Sequence, residues 1–117
     1  MNALLFPGQG SQVVGMGMEF YTNFNLVKKI FNEADDKLNF SISKMILEGP
    51  ADELQLTKNA QPAILTVSTA AFRVLTSERE INADFVAGHS LGEYSALVAS
   101  GSLDFEDAVW AVRKRGE

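Results

Sequence analysis

Asp84-Phe85-Val86-Ala87-Gly88-His89-Ser90-Leu91-Gly92-Glu93-Tyr94-Ser95-Ala96-Leu97 is the stretch on which the fold of this chain turns. Phe85, Val86 and Ala87 form a short apolar run with no polar alternation, which reads as a buried strand of a parallel sheet. From Leu91 to about Ser100 the sequence reads as a helix, with Gly101 placed to close it. Between the two lies Gly88-His89-Ser90-Leu91-Gly92, the pattern G-x-S-x-G. A serine on a tight strand-to-helix turn exposes its hydroxyl. Glycines two residues to either side let strand and helix pack close without Cβ clashes. The helix N-terminus aims amide dipoles at that hydroxyl, and the Leu91 N–H can stabilise an oxyanion. Glycine and serine are common enough for the pattern to arise by chance at a Gly-rich turn. The strand before it and the helix after it are what a nucleophile elbow requires, so Ser90 reads as a nucleophile.

A serine nucleophile needs a base. His89 is the only histidine. A neighbour on a sharp turn points away from the serine, so His89 reads as shaping the turn. In enzymes built this way the base comes later in the chain, and no histidine follows Ser90. The chain therefore reads as catalytically incomplete, with the base expected outside it.

Upstream, Ala3-Leu4-Leu5-Phe6 is a second short apolar run, closed by Pro7-Gly8-Gln9-Gly10-Ser11. It reads as another buried strand feeding a loop. One short Gly-rich loop lacks the spacing of a phosphate cradle. Gly15 and Gly17 delay any helix that follows. Val27, Ile30, Phe31, Ala34 and Leu38 make one apolar helical stripe, with Asn25 as its expected N-cap. Gly49-Pro50 ends a short helix near Lys44 to Glu48. Gln61-Pro62 is expected to open the next helix, with Pro62 at its first position. Ile64, Val67, Ala71, Val74 and Leu75 are its expected stripe. Asp104 is the expected cap of a last helix from Phe105 to about Arg115, with Asp107 in its first turn. Strands alternating with helices predict an α/β domain with a parallel sheet.

Arg115 follows Ser90 by 25 residues. Antiparallel packing of two short helices could return it towards the serine, where a guanidinium could grip a carboxylate in bidentate fashion. Spacing alone favours the plainer reading, in which Arg113-Lys114-Arg115 is a solvated run complementing the helix dipole.

The chain of 117 residues is 46% hydrophobic and 21% charged, which suits one globular domain. Its net charge of −5 disfavours nucleic acid and anionic membrane as partners. It has no cysteine, so disulfides, thiolate metal sites and a cysteine nucleophile are excluded. One histidine and scattered carboxylates lack metal-ligand spacing. No apolar run is long enough to span a membrane, and Met1 to Pro7 lacks the features of a signal peptide. A cytoplasmic location is expected.

Phe6-Pro7-Gly8-Gln9-Gly10-Ser11-Gln12, Gln61-Pro62-Ala63, Gly88-His89-Ser90-Leu91-Gly92-Glu93-Tyr94-Ser95-Ala96-Leu97 and Arg113-Lys114-Arg115-Gly116 together resemble the malonyl-CoA:acyl-carrier-protein transacylase family. The resemblance runs in register along the whole chain. It implies that Ser90 is the residue malonylated and that Gln9 and the Leu91 amide form the oxyanion hole. Arg115 would bind the malonyl carboxylate, which reverses the reading from spacing. Gln61 would lie near the active site. It further implies a ping-pong transfer from malonyl-CoA, a substrate and not a cofactor, to the phosphopantetheine thiol of acyl carrier protein, serving fatty-acid synthesis. The family pairs a hydrolase-like α/β subdomain with a small ferredoxin-like one. By this resemblance residues 1–117 are the first part of the larger subdomain. A chain so cut is expected to expose a sheet edge or apolar face, to self-associate or be marginally stable, and to be weakly active or inactive alone. Lys28, Lys29, Lys58 and the 113–115 run are candidate carrier-protein contacts. Two other readings share some of these features. A serine hydrolase has the elbow but leaves Gln9 and Arg115 unexplained. A non-catalytic binding fragment leaves the elbow unexplained.

Overall fold

The computed structural model describes residues 3–6, 12–78, 85–88 and 91–117. The order of elements is β1 (Ala3–Phe6), α1 (Met18–Asn23), α2 (Asn25–Leu38), α3 (Ile42–Glu48), α4 (Ala51–Gln55), α5 (Thr57–Glu78), β2 (Phe85–Gly88), α6 (Leu91–Ala99) and α7 (Phe105–Gly116). The two strands pair in parallel, from Ala3 opposite Phe85 to Phe6 opposite Gly88. Parallel strands need a long crossover, and helices α1 to α5 provide it.

Most of the described core is helix against helix. Its centre is α5, which packs on α2, α3, α4, α6 and α7. On α2 the expected stripe is in place: Val27, Ile30, Phe31 and Ala34 are buried, and Leu38 packs at their edge. The stripe expected on α5 fits less well. Ala63, Ile64, Leu65 and Thr66 are buried in succession, whereas Leu75 is 44% exposed. Five partner helices enclose the first half of α5 on nearly all sides, so no single face describes it.

Two expected helix starts are corrected. Asn25 is the first residue of α2, and Phe24 occupies the cap position without a side-chain bond. Phe24 also closes α1, donating its N–H to the Phe20 carbonyl. Its half-buried ring packs against the core, and this apolar contact outweighs the polar cap. Likewise α5 starts at Thr57, so Pro62 lies inside the helix rather than at its first position. A proline in a helix has no N–H for the carbonyl four residues back. Here that carbonyl belongs to Lys58, and it accepts a 2.9 Å bond from Arg113 Nη1 instead. Tertiary structure thus supplies the donor that local sequence lacks, and the helix runs through the proline.

Gly49 and Gly101 fall at helix ends as expected. After α6, Gly101 has φ +81°, its N–H bonds the Val98 carbonyl, and the Ser102 N–H bonds the Leu97 carbonyl. That pairing satisfies the last carbonyls of α6 and turns the chain towards α7. Asp104 stands at the cap of α7, but its side chain makes no cap bond. At the other end of α7, a Cβ on Gly116 would lie 2.6 Å from Lys58 Cα and 2.8 Å from the Thr57 carbonyl oxygen. Only glycine allows α7 to close on the first turn of α5. Gly116→Ala is therefore expected to destabilise the fold by about 1–3 kcal/mol through overpacking. The shift in urea midpoint, compared with Lys114→Ala at an exposed position, measures it.

Candidate active site

The parallel register places the C-terminal ends of β1 and β2 side by side, Phe6 against Gly88. The segments that follow these ends carry Gln9 and Ser90, and both residues lie outside the described residues. Two residues, His89 and Ser90, separate β2 from α6. Leu91 opens α6 and is buried, 1% exposed. Beyond the Gln9 segment, the chain is anchored by Gln12, whose buried side chain donates from Nε2 to Gln55 Oε1 at 2.8 Å.

The turn at Gly101 sends α7 back along α6, and α6 and α7 pack together. As a result Arg115, in the last turn of α7, reaches the first turn of α6. Its guanidinium carbon lies over the Tyr94 ring, 5.5 Å from the centroid. Arg115 is exposed and Tyr94 is half-buried against the core. The charge of Arg115 therefore stands over the first turn of α6.

Arg113, two residues earlier, does a different job. It bonds the Lys58 carbonyl and Asn59 Oδ1. Its guanidinium stacks 4.5 Å from the Phe40 ring centroid, and it pairs with Glu117 at 3.3 Å. Asn59 is held in turn by donating from Nδ2 to the Glu53 carbonyl at 2.8 Å. These contacts tie the end of α7 to the start of α5. Arg113 is a structural cation, and the solvated-run reading fails for it.

Gln61 lies one turn along α5 from Lys58. It is 7% exposed, and its Oε1 is buried with no hydrogen-bond partner among the described residues. An unmet buried acceptor is costly, so a donor arriving from a substrate or another segment would be favoured there.

Sequence reasoning assigned no role to Tyr94 or Asn59. Tyr94 was in plain sight within the motif, but only helix pairing shows what its ring touches. For Asn59 and Arg113 a signal existed in Pro62, which orphans the carbonyl at 58.

An open groove of about 400 Å³ lies at the other end of α7, lined by Glu33, Arg73, Asp104, Phe105, Glu106 and Asp107. It is separated from Arg115 by most of a helix of roughly 18 Å. Its acidic lining suits neither a carboxylate nor coenzyme A. Among the described residues no cluster of three potential metal ligands occurs, and no helix is long and apolar enough to cross a membrane.

A family profile described as the acyl transferase domain matches residues 3–117. The malonyl CoA-acyl carrier protein transacylase of Bacillus subtilis (strain 168) is 58% identical over 115 residues, which cover 98% of this chain and 36% of that protein. A crystal structure of the acyl-carrier-protein S-malonyltransferase of Burkholderia pseudomallei 1710b superposes with a TM-score of 0.94 at 48% identity, covering 99% of this chain and 38% of that one. A malonyl-transacylase in complex with a type II polyketide acyl carrier protein also superposes at 0.94, with 44% identity, covering 97% and 37%. The chain spans little more than a third of the length of these relatives.

Proposed function

Because the chain belongs to the acyl transferase domain family, we propose that it carries the nucleophile of an enzyme moving a malonyl group from coenzyme A to acyl carrier protein. The observation that carries this reading is the Arg115 guanidinium, held over Tyr94 in the first turn of the helix that begins one residue after Ser90. A cation at that place suits an acyl group ending in a carboxylate, and a simple ester hydrolase has no need of it.

In this reading Ser90 Oγ attacks the thioester carbonyl of malonyl-CoA while a base takes its proton. The carbonyl oxygen, now negative, is stabilised by the Leu91 N–H and by Gln9. Collapse of this intermediate breaks the C–S bond, and coenzyme A leaves as the thiol after gaining a proton. The thiol of the carrier protein's phosphopantetheine then attacks the Ser90 ester and takes the malonyl group, restoring the serine. Arg115 grips the malonyl carboxylate through both steps. Gln61, buried on α5, would lie near this machinery by its matching position in the family. The residues make up the first part of the larger, hydrolase-like subdomain, with Gly88 to Leu91 as its nucleophile elbow. The activity belongs to the cytoplasm and to fatty-acid synthesis.

Incubation with malonyl-CoA followed by intact-protein mass spectrometry tests the reading. A malonyl adduct mapped to Ser90 supports it. An adduct from simple esters but none from malonyl-CoA would support a hydrolase instead. Trp110, Leu97 and Leu75 are large apolar side chains exposed by 44–49%, and the isolated 117 residues are expected to self-associate. A monodisperse monomer on a sizing column would contradict that expectation.

A further inference from the structure

We propose that Tyr94 is the positioning residue for acyl-group selection, its ring holding the Arg115 guanidinium ready for a carboxylate; the inference rests on the reading of Arg115 given above. Arg115 is exposed at the end of a helix, where a long, flexible side chain would otherwise sample many rotamers. Three contacts bear on where it lies. The Arg113 bond to the Lys58 carbonyl and the close approach of Gly116 to α5 fix the backbone of the last turn of α7. The Tyr94 ring, packed against the core, then gives the guanidinium a surface to lie on, 5.5 Å from the ring centroid. Stacking uses the face of the guanidinium, whereas a carboxylate is bound by the N–H fork in its plane. The ring can therefore hold the cation without competing for the ligand.

Tyr94 is also four residues after Ser90, one turn into α6. It ties the carboxylate clamp to the helix that follows the nucleophile, so the two keep a set separation. The ring is what matters, and the phenol hydroxyl is not required.

The test uses an enzyme in which residues 1–117 of this chain replace the corresponding residues of the Bacillus subtilis relative. Rates of acyl-enzyme formation are measured with malonyl-CoA and with acetyl-CoA, which lacks the carboxylate. Tyr94→Leu is expected to lower the malonyl-to-acetyl ratio about fivefold, through KM for malonyl-CoA. Tyr94→Phe is expected to keep the parent ratio. In an Arg115→Ala background, Tyr94→Leu should change the ratio no further. Tyr94→Met is the second non-aromatic variant if Tyr94→Leu does not fold. Equal losses on both substrates, or Tyr94→Phe behaving as Tyr94→Leu does, would overturn the proposal and leave Tyr94 a packing residue. A ratio that collapses in Arg115→Ala but not in Tyr94→Leu would overturn this inference alone. A ratio unchanged in Arg115→Ala would overturn the clamp itself.

Discussion

Ser90→Ala is expected to abolish acyl-enzyme formation, a loss on the order of 10⁴-fold or more in transfer rate. The reason is chemical: alanine has no atom that can carry the acyl group. The oxyanion donors and the carboxylate clamp would remain, so malonyl-CoA should still bind. In the chimeric enzyme carrying residues 1–117, intact mass after incubation with malonyl-CoA should show an adduct on the parent and none on the variant. Because the serine sits between β2 and α6, its replacement by the smaller alanine should leave the circular dichroism and urea midpoint near the parent values. An adduct persisting on Ser90→Ala would move the nucleophile elsewhere and defeat the proposed mechanism.

Arg115→Ala is expected to cost about 10- to 100-fold in malonyl transfer, the worth of a charge-assisted bond lost to a carboxylate. Acetyl transfer should be unchanged or improved, since acetyl has no charge to be gripped. The comparison of the two substrates separates a clamp from a structural cation. Arg113→Ala is the informative contrast. Arg113 bonds the Lys58 carbonyl that Pro62 leaves open, and its loss should lower stability and weaken both substrates together. If Arg115→Ala also lowered both equally, Arg115 would be a second structural cation and the dicarboxylic preference would need another source.

The candidate nucleophile was legible in the residues because its signal is local. G-x-S-x-G between an apolar run and a helix needs only a few consecutive residues, as does the glycine that ends α6. The α2 stripe was legible for the same reason: one exposed face and one buried face leave a period in the sequence. Helix α5 left none, because partners on almost every side bury successive residues. Nor could spacing show that Arg113 would bond the Lys58 carbonyl while Arg115, two residues on, would lie over the Tyr94 ring.

By itself the sequence determined the nucleophile candidate, the turn glycines and the approximate places of α2, α3, α6 and α7, all set by backbone sterics and by apolar periodicity over a few residues. Tertiary structure alone decided that α5 runs through Pro62, that Phe24 displaces Asn25 as the cap, and that Arg115 comes to rest on Tyr94. Each of these depends on a partner distant in sequence: Arg113 is 55 residues from Lys58, and a donor, a buried ring or a returning helix exists there only after the chain has packed.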